Sequence, residues 1–117
     1  MGVTIEKENG MIKITDEVIA AIVNKVVLTI EGVAEMSGGL QDSITNIISK
    51  HNPFKGIKIS STEQEIVVDV YITVHYGVKI PEVAWSIQEA VKKEIENSLE
   101  LRISAINIHV QGVVLPQ

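Results

Sequence analysis

The side chains best suited to chemistry lie in two alternating stretches of the chain. "VDVYITVHY", residues 68–76, contains Asp69, Tyr71 and His75, and "INIHVQG", residues 106–112, contains His109. Aspartate and histidine together could serve in hydrolysis, and two imidazoles could begin a zinc or copper site. Whether either chemistry is available depends on the elements that hold these residues.

A hydrolytic relay is not expected. Asp69 and His75 lie on one predicted strand, and six residues of strand separate them by roughly 20 Å at about 3.3 Å per residue. They cannot share a hydrogen bond. In addition, no serine of the chain lies in the G-x-S-x-G pattern of a nucleophile elbow. The sequence therefore predicts that the protein is not an enzyme.

A metal site is the second chemical interpretation. His75 and His109 would be neighbours if the last strand lies beside the long one, and they would then offer two ligands to zinc or copper. A third ligand could come from Glu82 or His51, although nothing in the spacing requires it. Two solvated surface histidines are the simpler interpretation, so no metal and no cofactor is predicted.

Composition limits the class of protein. A chain of 117 residues fits one domain, residues 1–117. Hydrophobic residues make up 45% of the chain but aromatic residues only 3%, which predicts an aliphatic core. The formal charge of -5 opposes binding to phosphate, so nucleic acid is not an expected partner. The absence of cysteine suits a reducing cytoplasm.

The sequence also predicts no direct insertion into a membrane. The most apolar run, Val18 to Val23, is far shorter than the roughly 20 residues that a membrane span needs. The start, "MGVTIEKENGMI", lacks the basic and apolar regions of a secretory signal. A cytoplasmic location is expected.

The first half of the chain predicts a strand, a helix and a second strand. "GMIKI" alternates, Thr15 can cap the helix that follows, and apolar spacing from Val18 to Ile30 indicates one buried helical face before Gly32. "VAEMSGG" predicts a short strand and turn. A further helix is predicted in "LQDSITNIISKHNPFKG", and the glycine pair of "SGGL" is interpreted as a turn rather than an anion site.

The second half predicts a hairpin, a helix and a last strand. "IKIS" and "EIVVDVYITVHY" alternate with a period of two and should pair antiparallel. Pro81 opens a helix whose apolar stripe recurs every four residues. "RISAINIHVQGVV" closes the chain as a strand. The predicted inward residues are Ile66, Val68, Val70, Ile72, Val74, Tyr76, Val83, Ile87, Val91, Ile95, Leu99, Ile106, Ile108 and Val110.

These elements predict an α+β fold. The helices each have one apolar face and the strands alternate, so the expected domain has two layers: a single, mostly antiparallel sheet with amphipathic helices packed on one face. The other sheet face is then polar and available for contacts. It would carry Lys58, Ser60, Asp69, Tyr71, Thr73, His75, Asn107, His109 and Gln111.

Trp85 could have either of two roles. It lies beside the apolar stripe of the second helix, so it is either an edge residue covered by a loop or an anchor for a partner. Tyr71, facing outward on the sheet, has the same alternatives. The candidate interaction surface is therefore Tyr71, His75, Trp85 and His109.

The order of motifs resembles a known family. "GMIKITDEVIAAIV", "EGVAEMSGGL", "KGIKI", "VVDVYITVHYGVKIPEVAWSIQEAV" and "INIHVQGVV" together are similar to the alkaline shock proteins, the small envelope-stress proteins of Gram-positive bacteria. The resemblance covers nearly the whole chain, and none of its motifs is catalytic.

The resemblance implies a non-enzymatic cytoplasmic protein of cell-envelope stress or homeostasis. Such a protein acts through protein contacts, often near the membrane through a membrane-anchored relative, and a homo-oligomer is an open possibility. The alternative function is a small-molecule or metal-binding regulator of a metabolic pathway such as fatty-acid synthesis. A flat polar sheet face would favour the first function, and a deep pocket beside His75 the second.

Overall fold

The computed structural model describes residues 2–37, 54–62 and 65–116. In chain order the elements are β1 (Gly2–Lys7), β2 (Gly10–Thr15), α1 (Asp16–Leu28), β3 (Val33–Met36), β4 (Ile57–Ser61), β5 (Ile66–His75), α2 (Ile80–Leu99) and β6 (Ala105–Val114). The α+β fold class is confirmed. The helix predicted around Leu40 to Ile48, the "SGGL" turn and His51 lie outside the described residues.

The main sheet is organised around β5. Strands β4 and β3 pair antiparallel with its first and second halves, whereas β6 pairs parallel with it from Val67 to His75. Because β6 occupies one edge along this length, β3 and β4 share the opposite edge, one after the other. Parallel strands need a long crossover connection, and α2 supplies it between β5 and β6.

Both helices pack on the same sheet face. β5 alternates between buried and half-buried residues, which is the pattern of a strand with one face in the core. Thr15 caps α1 by accepting from the Val18 N–H at 3.4 Å, as predicted, and Pro81 lies in the first turn of α2. The core residues of these three elements are Ile19, Ala20, Val23, Val27, Ile66, Val68, Val70, Ile72, Val74, Val83, Ile87, Val91 and Ile95.

The N-terminal residues form a second sheet that the sequence pattern did not predict. β1 and β2 pair antiparallel as a two-stranded hairpin, with Lys7 opposite Gly10. The expectation of one single sheet is therefore wrong for this part of the chain. The signal was present, since Val3 and Ile5 alternate with polar residues and Asn9, a residue type common in turns, lies between the two strands.

Two predicted positions at the ends of elements are also wrong. Tyr76 was expected to face the core, but β5 ends at His75 and Tyr76 is 66% exposed. The chain turns there, and Gly77 takes a positive φ of 94°. Helix α1 ends at Leu28 rather than near Ile30. The N–H groups of Thr29 and Ile30 donate to the carbonyls three residues earlier, those of Val26 and Val27, at 3.1 Å, so the last turn tightens and the helix stops.

Gly32 permits close contact between the α1–β3 turn and α2. Its φ is 103°, and a Cβ atom placed on it would lie 2.7 Å from Cγ2 of Val83. We expect Gly32→Ala to lower the free energy of unfolding by about 2–4 kcal/mol, through backbone strain and this overlap together. Chemical denaturation measures the change.

Gly77→Ala is the matched control for this substitution. Gly77 has a similar φ of 94°, but nothing lies within 4 Å of a Cβ placed on it. This control should show the backbone strain alone, about 1–2 kcal/mol. Equal losses for the two variants would contradict a packing role for Gly32.

Candidate functional site

The parallel pairing of β5 with β6 brings together two pairs of polar or aromatic residues. Asp69 lies opposite Asn107, and Tyr71 lies opposite His109. Successive side chains of a strand point to opposite faces, so these four residues share the sheet face turned away from the helices. We call that surface the open face, and Asp69, Tyr71, Asn107 and His109 together the sheet-face cluster.

Asp69 is the hydrogen-bonding centre of the cluster. The Asn107 amide donates to its Oδ1 at 3.2 Å, and Nε2 of His109 lies 3.0 Å from the same oxygen. An ionised carboxylate only accepts hydrogen bonds, so Nε2 must carry the proton in this contact. The Asp69 side chain is 19% exposed, compared with 40% for His109. The pair is therefore partly shielded but open to solvent.

The imidazole of His109 is also held by an aromatic ring. The rings of Tyr71 and His109 stack with their centroids 4.3 Å apart and their planes 10° from parallel. Stacked aromatic pairs contribute beyond the area that they bury, and a protonated imidazole gains further from the π face. Two contacts therefore fix the orientation of the His109 ring: Asp69 at Nε2, and the Tyr71 ring across one face.

These contacts shift the titration of Asp69. The hydrogen bond from His109 is the largest cause that lowers the pKa of the Asp69 carboxyl below its ordinary value of 3.8. Burial opposes this shift by raising the pKa, while the Asn107 hydrogen bond and the charges of His109 and Lys58 lower it further. The cluster therefore favours the ionised carboxylate.

A second polar link crosses the open face beside the cluster. The Ser37 hydroxyl donates to Oε1 of Gln111 at 2.8 Å. Ser37 follows β3 and Gln111 belongs to β6, and these strands lie on opposite edges of β5, so the hydrogen bond spans the central strand. A β-bulge lies at Gln111, since Ile72 pairs with Val110 and Thr73 with Gly112.

The four residues of the predicted interaction surface do not all lie together. Tyr71 and His109 are in contact, and His75 is exposed at the end of β5, opposite Val114. The metal-site alternative required His75 and His109 to be neighbours, and they are not: His109 pairs with Tyr71, and four residues of strand, about 13 Å, separate Tyr71 from His75. The parallel register decides this spacing.

Trp85 lies on the other side of the molecule. Val83 and Ile87, both buried against the sheet, are two residues before and after it on α2. At about 100° per residue, Trp85 then points away from the sheet, and it is 62% exposed. It therefore belongs to the outer surface of the helix layer and not to the open face.

The contact between Asp69 and His109 was not predicted from the sequence. Asp69 was related only to His75 on the same strand, whereas its partner lies on the parallel neighbour β6. A usable signal existed: Asp69-x-Tyr71 and Asn107-x-His109 have the same spacing in two alternating stretches. Paired in register, the two stretches produce the cluster.

The cluster combines hydrogen-bonding groups with an aromatic ring. Among the described residues, no group of three or more His, Asp or Glu side chains is placed to hold a metal ion. The cluster instead presents an aromatic ring, an imidazole, an amide and a carboxylate on a sheet face. Such groups can hydrogen-bond and stack against another surface.

Comparisons with known proteins identify related chains. The sequence model of the ASP23 family, described as having a cell envelope-related function, matches residues 4–115. Spy1614 of Streptococcus pyogenes serotype M6 is 38% identical over 115 residues, which cover 97% of this chain and 95% of that protein. YqhY of Bacillus subtilis is 38% identical over 104 residues, covering 89% and 77%.

A solved structure shares the fold. A histidine-to-alanine variant of MamM-CTD superposes with a TM-score of 0.50 over 84% of this chain and 98% of that chain, at 16% identity. At this identity the match shows the fold alone. In the part of the chain that the structure describes, neither helix has both the length and the hydrophobicity of a membrane-crossing segment.

The lowered pKa of Asp69 predicts a specific pH dependence of stability. A carboxyl with a folded-state pKa below its unfolded value stabilises the protein above pH 3.8, and this contribution is lost as the pH falls through the lowered pKa. Because the pair is open to solvent, Asp69→Asn should cost about 1 kcal/mol or less near pH 7, and the difference from wild type should shrink toward pH 2. Urea unfolding across this range measures it.

Glu89→Gln, which removes an exposed carboxylate from α2, controls for the loss of one negative charge. A difference between Asp69→Asn and wild type that stays constant down to pH 2 would show that the Asp69 charge does not stabilise the fold.

Proposed function

Because the chain belongs to the ASP23 (alkaline shock protein) family, which has a cell envelope-related function, we propose that it is a non-enzymatic protein that acts through contacts with other proteins. The contacts are made by the open face, at the sheet-face cluster. The single observation that supports this most is the ordered stack of Tyr71 on His109.

The order of the cluster favours binding. Association costs free energy when mobile side chains become fixed, and this cost is smaller for groups that are already held. His109 is held by Asp69 and Tyr71 before any partner arrives. Tyrosine is also enriched among the residues that contribute most to protein interfaces. The cluster is thus suited to be the centre of a contact surface.

The chemistry of the open face favours a protein partner over nucleic acid. The chain has a formal charge of -5, and the cluster itself contains a carboxylate, so a phosphate backbone would be repelled. We propose that the partner is a membrane-anchored relative that this protein meets at the cytoplasmic side of the membrane. Further copies of this chain are a second contact. This partner would hold the protein near the membrane.

An affinity pull-down from cytoplasmic and membrane fractions tests the proposal. Tyr71→Ala should weaken partner binding by about thirtyfold, the loss typical of a hot-spot aromatic residue. Tyr76→Ala is the matched control, because it removes the same side chain from an exposed position beyond the end of β5. Partners are identified by mass spectrometry, and their affinities are measured with purified proteins.

Two further variants identify the surface. His109→Ala should reproduce the loss seen with Tyr71→Ala, whereas Trp85→Ala tests the outer face of the helix layer separately. Circular dichroism establishes that each variant is folded. Unchanged binding with both Tyr71→Ala and His109→Ala would overturn the proposal. A metal or metabolite that co-purifies and disappears with His109→Ala would favour a binding regulator instead.

A further inference from the structure

The outer edge of β6 differs from the other edges in the structure. β6 pairs with β5 over nearly all of its 10 residues, and no other described strand pairs with its opposite edge. An edge strand presents N–H and C=O groups that can pair with another chain. Without a feature that blocks this pairing, the edge can bind the edge strand of another molecule.

Natural sheets protect their edges with charged side chains, proline or interruptions. Strands β1, β2, β3 and β4 each contain at least one charged residue, and β3 and β4 are also short. β6, "AINIHVQGVV", contains no Asp, Glu, Lys, Arg or Pro. In a chain with a formal charge of -5, this strand can meet its own copy without repulsion between fixed charges.

Part of the β6 edge has local protection. The Gln88 side chain donates from Nε2 to the Ile106 carbonyl at 2.9 Å, which provides that carbonyl with a partner from α2. The bulge at Gln111 then separates a regular run, residues 105–110, from residues 112–114. These two features restrict the possible registers of pairing, but they add no charge to the strand.

The last residues of β6 show which groups face outward. The Tyr76 N–H donates to the Val114 carbonyl at 2.9 Å, so Val114 faces β5 and the neighbouring Val113 directs its N–H and C=O away from it. Val113 is 47% exposed and Leu115 is 65% exposed. Apolar side chains therefore accompany an outward backbone donor and acceptor at this end of the edge.

We propose that two copies of this chain pair through β6, antiparallel and about a two-fold axis. An isologous contact of this kind uses the same surface on both copies and closes at a dimer. This dimer rests on the proposed function in one respect, that contacts with further copies of the chain are among the contacts proposed there. The site is the β6 edge, which borders the open face but is distinct from the sheet-face cluster.

The symmetry has a consequence for the open face. A two-fold axis that relates adjacent antiparallel strands is perpendicular to the sheet, so the open faces of both copies lie on the same side. The dimer would present two sheet-face clusters on one continuous surface. A partner that carries two matching sites would then bind with increased avidity.

The oligomeric state tests the edge contact directly. Light scattering after size exclusion should give twice the 12.8 kDa chain mass for the wild type at micromolar concentration. Val113→Pro removes an outward N–H while leaving the hydrogen bond of Val114 to Tyr76 in place, and should weaken the dimer at least tenfold. Val113→Lys, which adds a charge to the edge, should have the same effect without changing backbone conformation.

Met11→Lys is the matched control for Val113→Lys. Met11 is exposed to a similar degree, 57%, but lies on the N-terminal hairpin. It should leave the dimer intact. A monomeric wild type, or a dimer unaffected by both Val113 variants, would overturn the proposal, and the second result would assign the dimer to another surface.

Cross-linking gives an independent test, because the chain has no cysteine of its own. Single substitutions along the exposed side of β6, Asn107→Cys, His109→Cys and Gln111→Cys, place one thiol on each copy. In an antiparallel two-fold pair a residue meets its own copy only near the axis. Disulfide yield is measured for each variant alone and for mixtures of two variants, because an axis at a residue of the opposite face places neighbouring substituted positions across from each other. The yield should peak at one position or one neighbouring pair and exceed that of Met11→Cys, whereas yields equal to Met11→Cys throughout would overturn the pairing.

The two proposals can fail separately. Loss of the dimer in Val113→Lys, together with unchanged partner binding in Tyr71→Ala, would support the β6 contact and reject the cluster as the partner site. An intact dimer in Val113→Lys, with partner binding lost in Tyr71→Ala, would do the reverse.

Discussion

The rest of the structure depends on the two-sided character of β5. Its even-numbered residues from Ile66 to Val74 are buried beneath the helices, and its odd-numbered residues from Val67 to Tyr71 and beyond lie on the open face. A shift of one residue in its pairing would reverse both sets and place Asp69 in an aliphatic core without a partner. The hydrophobic face therefore sets the register, and the register places the polar residues.

The same constraint explains why the cluster forms between β5 and β6 and not elsewhere. β6 is the strand that accompanies β5 along nearly its whole length, whereas β3 and β4 divide the other edge. The cluster consists of two successive residue pairs, Asp69 with Asn107 and Tyr71 with His109, and both pairs can form only beside a strand that stays in register with β5. The crossover through α2 makes this pairing parallel, and the parallel direction places His109 beside Tyr71 while His75 lies near Val114.

Helices, strands and their buried faces could be predicted from the sequence, because they depend on local periodicity. Contacts between strands could not, because they depend on strand direction and register. The period of two in β5, the four-residue stripe of α2 and the cap at Thr15 are local patterns, and the structure confirms them. Strand direction and offset are not local, which explains why the contact of Asp69 with His109 was missed. The failure at Tyr76 has a local cause, since the alternation was extended one residue past the end of the strand.

The open face and the β6 edge are linked by the structure of β6 itself. Asn107 and His109 direct their side chains onto the open face, while the same strand forms the uncharged boundary of the sheet. A charged side chain on β6 would have to lie on one of two faces, the face that carries the cluster or the face packed against α2. The absence of Asp, Glu, Lys and Arg from β6 thus follows partly from the use of both sides of the strand, one for the core and one for the cluster. For a protein that acts by contact, an edge open to a second copy and a face open to a partner are compatible, because the two surfaces meet at right angles along one strand.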